Sequence, residues 1–429
     1  MNARRLWILV VILLGPSLSA RAQTVQRLTL KEAEQIALQN HPQIRAAQFV
    51  AAAANKVTTE ARSAYYPFTF GSLTGAVAEH DSRIAAGVLN NPIIFNRYAN
   101  GITAGQLVTD FGRTQNLVRT SSLHAQAELQ GVTATRADVL LRVDQVYFGV
   151  LRAQAVLKVA EETVKARQLV VDQVTALAQS KLKSGLDVSF ANVNLAEAKL
   201  LLVQAQNDVE SSFAELSAAL GYSDERRFEL EDEPLPPAPP PDVSQLVSEA
   251  FRKRPDLAEQ GLDANAAHSF ARAERDLWFP SVSFVGTAGL IPYKQEALAS
   301  RYAAAGVNVN IPIFNGRLFN ARRAEADFQA QAQDQRFRNL RNQVAQDVRV
   351  AWLRANTAYQ KLDLTTQLLN EATEALHLAQ ARYDLGLGSI VELSQAQLNE
   401  TEAELEQARA KYDYQSQLSA LNYQVGLLR

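Results

Sequence analysis

Hydrophobic residues along this chain recur at two periods, and the longer one dominates. Val143, Val150, Leu157, Val164, Val171 and Ala178 stand seven positions apart. Val146, Ala153, Ala160 and Val174 fill the companion positions, where Arg167 and Lys181 are the exceptions. Far along the chain, Val348, Ala355, Leu362, Leu369, Leu376 and Tyr383 repeat the first seam, and Ala351, Ala358, Thr365, Ala372 and Ala379 repeat the second. A seven-residue apolar repeat winds helices about one another, and alanine at one seam lets a neighbour approach closely. From Thr114 to Ser184 there is no proline, and Gly131 and Gly149 are the interruptions. At 1.5 Å per residue, some 70 residues reach about 105 Å, longer than any compact domain of this size. Ser184-Gly185 and Gly386-Leu387-Gly388 end the two runs as glycine C-caps do. A second helix follows each turn, with seams Leu195, Leu202, Val209, Leu216 and Leu398, Leu405, Tyr412. The pattern predicts two helical hairpins, over about 113–220 and 317–426.

Ahead of each hairpin the period drops to two. Val307-Asn308-Val309-Asn310-Ile311 sends apolar side chains one way and asparagines the other. Pro280 to Phe284 alternates similarly, and Tyr66 to Val77 and Gly101 to Val108 do so more weakly. Four strands are expected, over about 66–77, 101–110, 280–289 and 305–314, each near the length a tilted strand needs to cross a bilayer. Tyr65, Tyr66, Tyr98, Trp278, Tyr293 and Tyr302 sit near their ends, the depth at which aromatic residues collect in membrane barrels. An open sheet edge cannot face lipid, because each unpaired backbone group there costs several kcal/mol. Single-chain barrels need about eight strands, so four strands per chain can span a membrane only if copies share one barrel. Three copies supply twelve strands, whereas two would close only a narrow, filled barrel. The alternative is a soluble periplasmic coiled-coil adaptor or scaffold that buries these segments in a globular domain.

The two halves are one design used twice. Ala37, Pro42 and Ile44 return as Ala250, Pro255 and Leu257; Arg62 and Pro67 return as Arg275 and Pro280, all offset by 213. Gly112-Arg113 matches Gly316-Arg317 at 204, and LAQSKLKSGL matches LAQARYDLGL at 201. Between the halves, PLPPAPPP reads as a semi-rigid linker. At the start, Arg4 and Arg5, the apolar run Leu6 to Leu14 and the small residues Ala20 and Ala22 have the layout of a secretory signal, cleaved before Gln23. The expected organisation is therefore a signal peptide at 1–22, a first repeat at 23–233, the linker at 234–241 and a second repeat at 242–429.

Composition narrows the chemistry. Lys and Arg number 43 against 45 acidic residues, which leaves no basic footprint for nucleic acid. Cysteine is absent, excluding disulfides, thiolate metal sites and a cysteine nucleophile. The histidines, His41, His80, His124, His268 and His377, never fall at a metal-ligand spacing. There is no Walker A or GxSxG sequence, and Gly386-Leu387-Gly388 follows a helix rather than a strand, so no nucleotide fingerprint stands. No enzyme constellation, cofactor or metal site emerges.

Taken together, LTLKEAEQIALQNHPQI, the matched Tyr66-Pro67 and Phe279-Pro280, IPIFNGR and RYDLGLGSIVELSQAQL, in this order and with the duplication, resemble the TolC-like outer-membrane efflux proteins. The resemblance implies a mainly α fold with a small β part. In it a duplicated helical-hairpin and β-hairpin repeat builds a long α-helical tunnel, and four strands per chain join a shared twelve-stranded transmembrane β-barrel. It also implies a homotrimer in the Gram-negative outer membrane that reaches into the periplasm. Such a trimer is a passive exit duct, joined through a periplasmic adaptor to an inner-membrane pump of an efflux or type I secretion system. The hairpin tips would form the periplasmic aperture. In the second half the family pattern runs Tyr, Gly, Arg, Asp, Asp. Tyr383 and Gly386 match it, and Glu392 stands for the first Asp. Gly388 replaces the Arg, and Gln395 replaces the second Asp. Asp187 lies near the other tip, with Ala191 at the position where the family carries its acid. The aperture is thus expected at Tyr383, Glu392, Gln395 and Asp187, and adaptor docking at Gly185, Leu186, Gly386, Leu387 and Gly388.

Overall fold

The computed structural model describes residues 26–83, 93–294 and 298–428; the expected signal peptide lies outside them. A short strand β1 (Gln26–Leu28) leads into α1 (Leu30–Asn40) and α2 (Pro42–Ser63). Strands β2 (Phe68–Ala76) and β3 (Arg97–Thr109) follow, then the hairpin of α3 (Arg113–Gln179) and α4 (Gly185–Ala219). After β4 (Phe228–Leu230) the order repeats: α5 (Val243–Lys253), α6 (Pro255–Arg275), β5 (Ser281–Lys294), β6 (Arg301–Asn310), α7 (Leu318–Asp384) and α8 (Ile390–Val425). Each opening helix pair is broken at a proline. His41 and Arg254 take extended backbone, at φ −66°, ψ 123° and φ −67°, ψ 122°, because the proline that follows disfavours helix at the residue before it. Helices α3 and α7 are 67 residues each, about 100 Å at the standard rise.

Strand limits differ from those the alternation implied. β6 stops at Asn310 rather than about 314, since Pro312 brings no N–H to a ladder. It begins at Arg301, four residues early, because Ala303-Ala304-Ala305 carries no polar–apolar contrast to read. β3 starts at Arg97 and β5 runs on to Lys294; Pro292 is accommodated in the register shift opposite Tyr98 and Asn100. The four long strands make one antiparallel sheet in the order β2-β3-β5-β6.

The first glycine C-cap is also revised. Gly185 opens α4 instead of ending α3. The residue that turns left-handed after α3 is Lys181, at φ 61°, and its counterpart after α7 is Gly386, at φ 74°. In both, the next residue donates back to the helix, Leu182 to the Leu177 carbonyl at 2.9 Å and Leu387 to the Arg382 carbonyl at 2.8 Å. The tips therefore correspond at an offset of 205, the offset of the heptad seams, and not at 201. Ser184 with Asp187 matches Ser389 with Glu392, each serine hydroxyl accepting from the acid's backbone N–H.

The first repeat's core gathers where β1 and β4 pair in parallel over α3. Leu28, Ala37, Ile44, Val143, Tyr147, Val150, Leu216 and Leu220 pack there. The Pro-rich segment lies as an ordered strap along the second hairpin: Trp352 Nε1 donates to the Pro240 carbonyl at 2.7 Å, and Tyr414 donates to that of Pro237. Beside this core Asp144 is 2% exposed, with Oδ1 unpartnered. Burial first, then the nearby Glu34 charge, pushes its carboxyl up to about 7, against a hydrogen bond from Ser419. Glu34 is raised as well, by burial first and by the Glu233 charge, with Asp144 and Lys31 opposing. The charge of the half-buried Glu34 beside the buried Asp144 favours the protonated form of Asp144. Because Asp144's pKa is raised on folding, its contribution to stability is complete at low pH and is lost as pH climbs through about 7. Denaturation of wild type across pH 4 to 8 is expected to show that loss below about 7 and Asp144→Asn to flatten it; equal slopes would refute the raised carboxyl.

Candidate functional site

Two regions hold the residues singled out from the sequence: the hairpin tips and the sheet. At the tips, Tyr383 is 3% exposed and packs with Val174, Ile390 and Leu393. Lys183, from the other hairpin's turn, donates to the Tyr383 carbonyl at 3.0 Å, and its ammonium sits 3.5 Å above the Tyr383 ring. Asp187 caps α4 by accepting from the Ser184 backbone N–H and hydroxyl, which holds its carboxyl below the usual range. Burial pushes the Tyr383 phenol up to about 12, and the charge of Asp187 adds to the rise. Geometrically the Tyr383 hydroxyl has no formed hydrogen bond, so Asp187 acts on it chiefly as a nearby charge. Tyr383 and Asp187, expected on separate grounds, are thus brought together.

Glu392 pairs with Arg382 at 3.0 Å, and Arg382 also donates to the Leu387 carbonyl at 3.2 Å. An arginine therefore does stand beside Glu392, six positions before Gly388. Gly388 itself lies against Arg382 and Glu392, where a side chain would crowd both. Gln395 takes no part in this cluster and donates to Asn399 one turn along α8, at 2.9 Å. Leu186 and Leu387 project from the turns, 64% and 69% exposed.

Higher up, Arg167 resolves the break in the first seam. It is 7% exposed and donates to the Gln397 carbonyl at 2.6 Å and the Thr401 hydroxyl at 2.9 Å, both on α8. Asn194 of α4 donates to Ser394 at 2.9 Å in the same layer. Sequence reasoning missed this polar bolt between hairpins, although the charged residue at a seam position was its visible signal. Lys183 gave no such signal, since a lysine in a turn is ordinary.

The sheet has two unlike faces. Register puts Leu73, Ile102, Phe284, Leu290, Val307 and Val309 on one side, all exposed. Ser72, Thr74, Thr103, Thr287, Asn308 and Asn310 lie on the other, which also carries Phe68, Phe70 and Val285, and there the Thr103 and Thr287 hydroxyls meet at 3.1 Å. Tyr302 lies flat across that polar face over Gly101 and Gly289, where any Cβ would collide with its ring. Among the described residues no helix is long and apolar enough to cross a membrane; the apolar side of this sheet is the surface suited to lipid. A family model described as outer membrane efflux protein matches residues 34–222 and 246–427. The chain belongs to that family.

Individual relatives agree. The outer membrane protein TolC of Escherichia coli is 24% identical over 428 residues, spanning 95% of this chain and 84% of that protein. Protein CyaE of Bordetella pertussis is 25% identical over 388 residues, 88% of this chain and 79% of its own. The crystal structure of the Campylobacter jejuni CmeC outer membrane channel superposes with a TM-score of 0.78 at 18% identity, covering 92% of this chain and 85% of that one. The channel is thus an outer-membrane channel-tunnel protein of the efflux and secretion type.

Proposed function

We propose that three copies of this channel pool their sheets into one twelve-stranded barrel and their hairpins into one periplasmic tunnel. This assembly carries cargo passively, with energy supplied by an inner-membrane pump through an adaptor. The observation that carries the reading is the sheet itself: four strands, one apolar face, and two open edges at β2 and β6. Such edges are intolerable in lipid unless another copy pairs with them. The hairpins add support. The alanine seam of α7 is buried against α8, while Leu364, Leu368 and Leu378 remain exposed on a single chain, the kind of apolar face that a neighbouring helix covers.

On this reading the tips around Tyr383, Asp187 and Glu392 narrow the exit, Lys183 and Arg382 hold them, and Leu186 and Leu387 dock the adaptor. Gln395, turned along its own helix, is left out of the latch. Membrane extracts run without boiling are expected to show a heat-modifiable trimer. Leu186→Asp with Leu387→Asp should abolish export while the trimer band persists. A detergent-free monomer in the periplasm would overturn the barrel, and undiminished export in the double variant would overturn the docking site.

A further inference from the structure

Each of the four helix ends nearest the sheet carries an arginine: Arg62 in the last turn of α2, Arg113 at the first position of α3, Arg275 at the last position of α6 and Arg317 immediately before α7. Two of them turn to buried acids. Arg113 lies 3.9 Å from Glu274, itself 2% exposed, and Arg275 lies 3.5 Å from Asp276. Asp110, the acid at the same level, is occupied in capping Thr114 through its backbone N–H at 2.8 Å and hydroxyl at 2.6 Å. Arg62 and Arg317 are exposed, and among the described residues neither has an ion-pair partner. The exposed aromatics Tyr66 and Phe314 stand within four residues of them in the chain, and the exposed Trp278 lies at the same helix-to-sheet level.

Cations set among aromatic rings at the rim of an apolar surface have a natural counterpart, the phosphate layer of a bilayer. We infer that Arg62 and Arg317 form a phosphate-binding collar that seats the channel on anionic phospholipids of the leaflet nearest the helices. The inference rests on the sheet lying in the membrane. Its chemistry is charge complementarity: two unpaired guanidiniums per chain, each able to take two phosphate oxygens at once.

The test uses the full-length channel in detergent micelles doped with phosphatidylglycerol or phosphatidylcholine of the same chain length. Phosphatidylglycerol is expected to raise the thermal midpoint of wild type by about a few degrees more than phosphatidylcholine does. In Arg62→Gln with Arg317→Gln the two lipids should become equivalent. Apparent affinity for the anionic lipid is expected to fall about five-fold per arginine removed. Arg338→Gln, far down α7, should leave the preference intact. Equal stabilisation of wild type by both lipids, or an undiminished preference in the double variant, overturns the collar. So does a double variant whose trimer falls apart in phosphatidylcholine, since the arginines would then be serving a neighbouring chain. Failure of wild type to assemble in micelles at all would instead refute the shared barrel.

Discussion

Tyr147→Ala is expected to destabilise the folded channel by about 4 kcal/mol, the usual cost of emptying a buried aromatic site. Tyr147 is fully buried and packs edge-on against Phe148. Its hydroxyl stands 2.7 Å from the Glu231 carbonyl and 2.9 Å from that of Leu28, so one side chain ties β1, the entry to the proline strap and α3 together. Burial raises the phenol well above its ordinary range, which keeps it a neutral donor at any physiological pH. Tyr147→Phe retains the ring and loses the hydrogen bond, and should cost about 1 kcal/mol. Denaturant titration supplies the comparison. Limited proteolysis supplies the location, because the alanine variant should be cut in the strap between the repeats while the hairpins persist. Equal loss in the two variants would mean that the hydroxyl, and not the ring, anchors the strap.

Lys183→Met should open the tip. The lysine contributes a charge-assisted hydrogen bond to the Tyr383 carbonyl and a contact with its ring. At a half-exposed site these are worth about 2 kcal/mol together. If that energy is spent on the closed arrangement alone, its loss moves the closed-to-open ratio about thirty-fold. Conductance of the purified trimer in planar bilayers is expected to rise accordingly, with stability nearly unchanged. Arg382→Gln should do less, because its pair with Glu392 lies within one hairpin and is largely solvated. Wild-type conductance in Lys183→Met would remove Lys183 from any gating role.

The largest features of this fold are legible without a structure because they are periodic. The alanine seam Ala351, Ala358, Ala372 and Ala379 is buried as its spacing implies, and Val307-Asn308-Val309-Asn310 alternates across the sheet as written. Local similarity misled where the repeats had drifted. The shared LAQ and Gly-Leu aligned the tips at 201, yet backbone geometry aligns Lys181 with Gly386, because a non-glycine residue can accept a left-handed turn when helix-capping bonds hold it. The same slip hid the equivalence of Asp187 and Glu392.

From sequence alone come the two hairpins, the four-strand deficit that demands further copies, and the family to which the chain belongs. These depend on spacing within a segment, which covalent connectivity preserves. Only the tertiary structure reveals that Arg167 bolts α3 to α8, that Lys183 clasps Tyr383, and that Asp144 is buried near the charge of Glu34. Each joins residues from different elements, up to 230 positions apart. Which charged side chain finds a partner over that separation is decided by how the hairpins pack, and no local pattern records it.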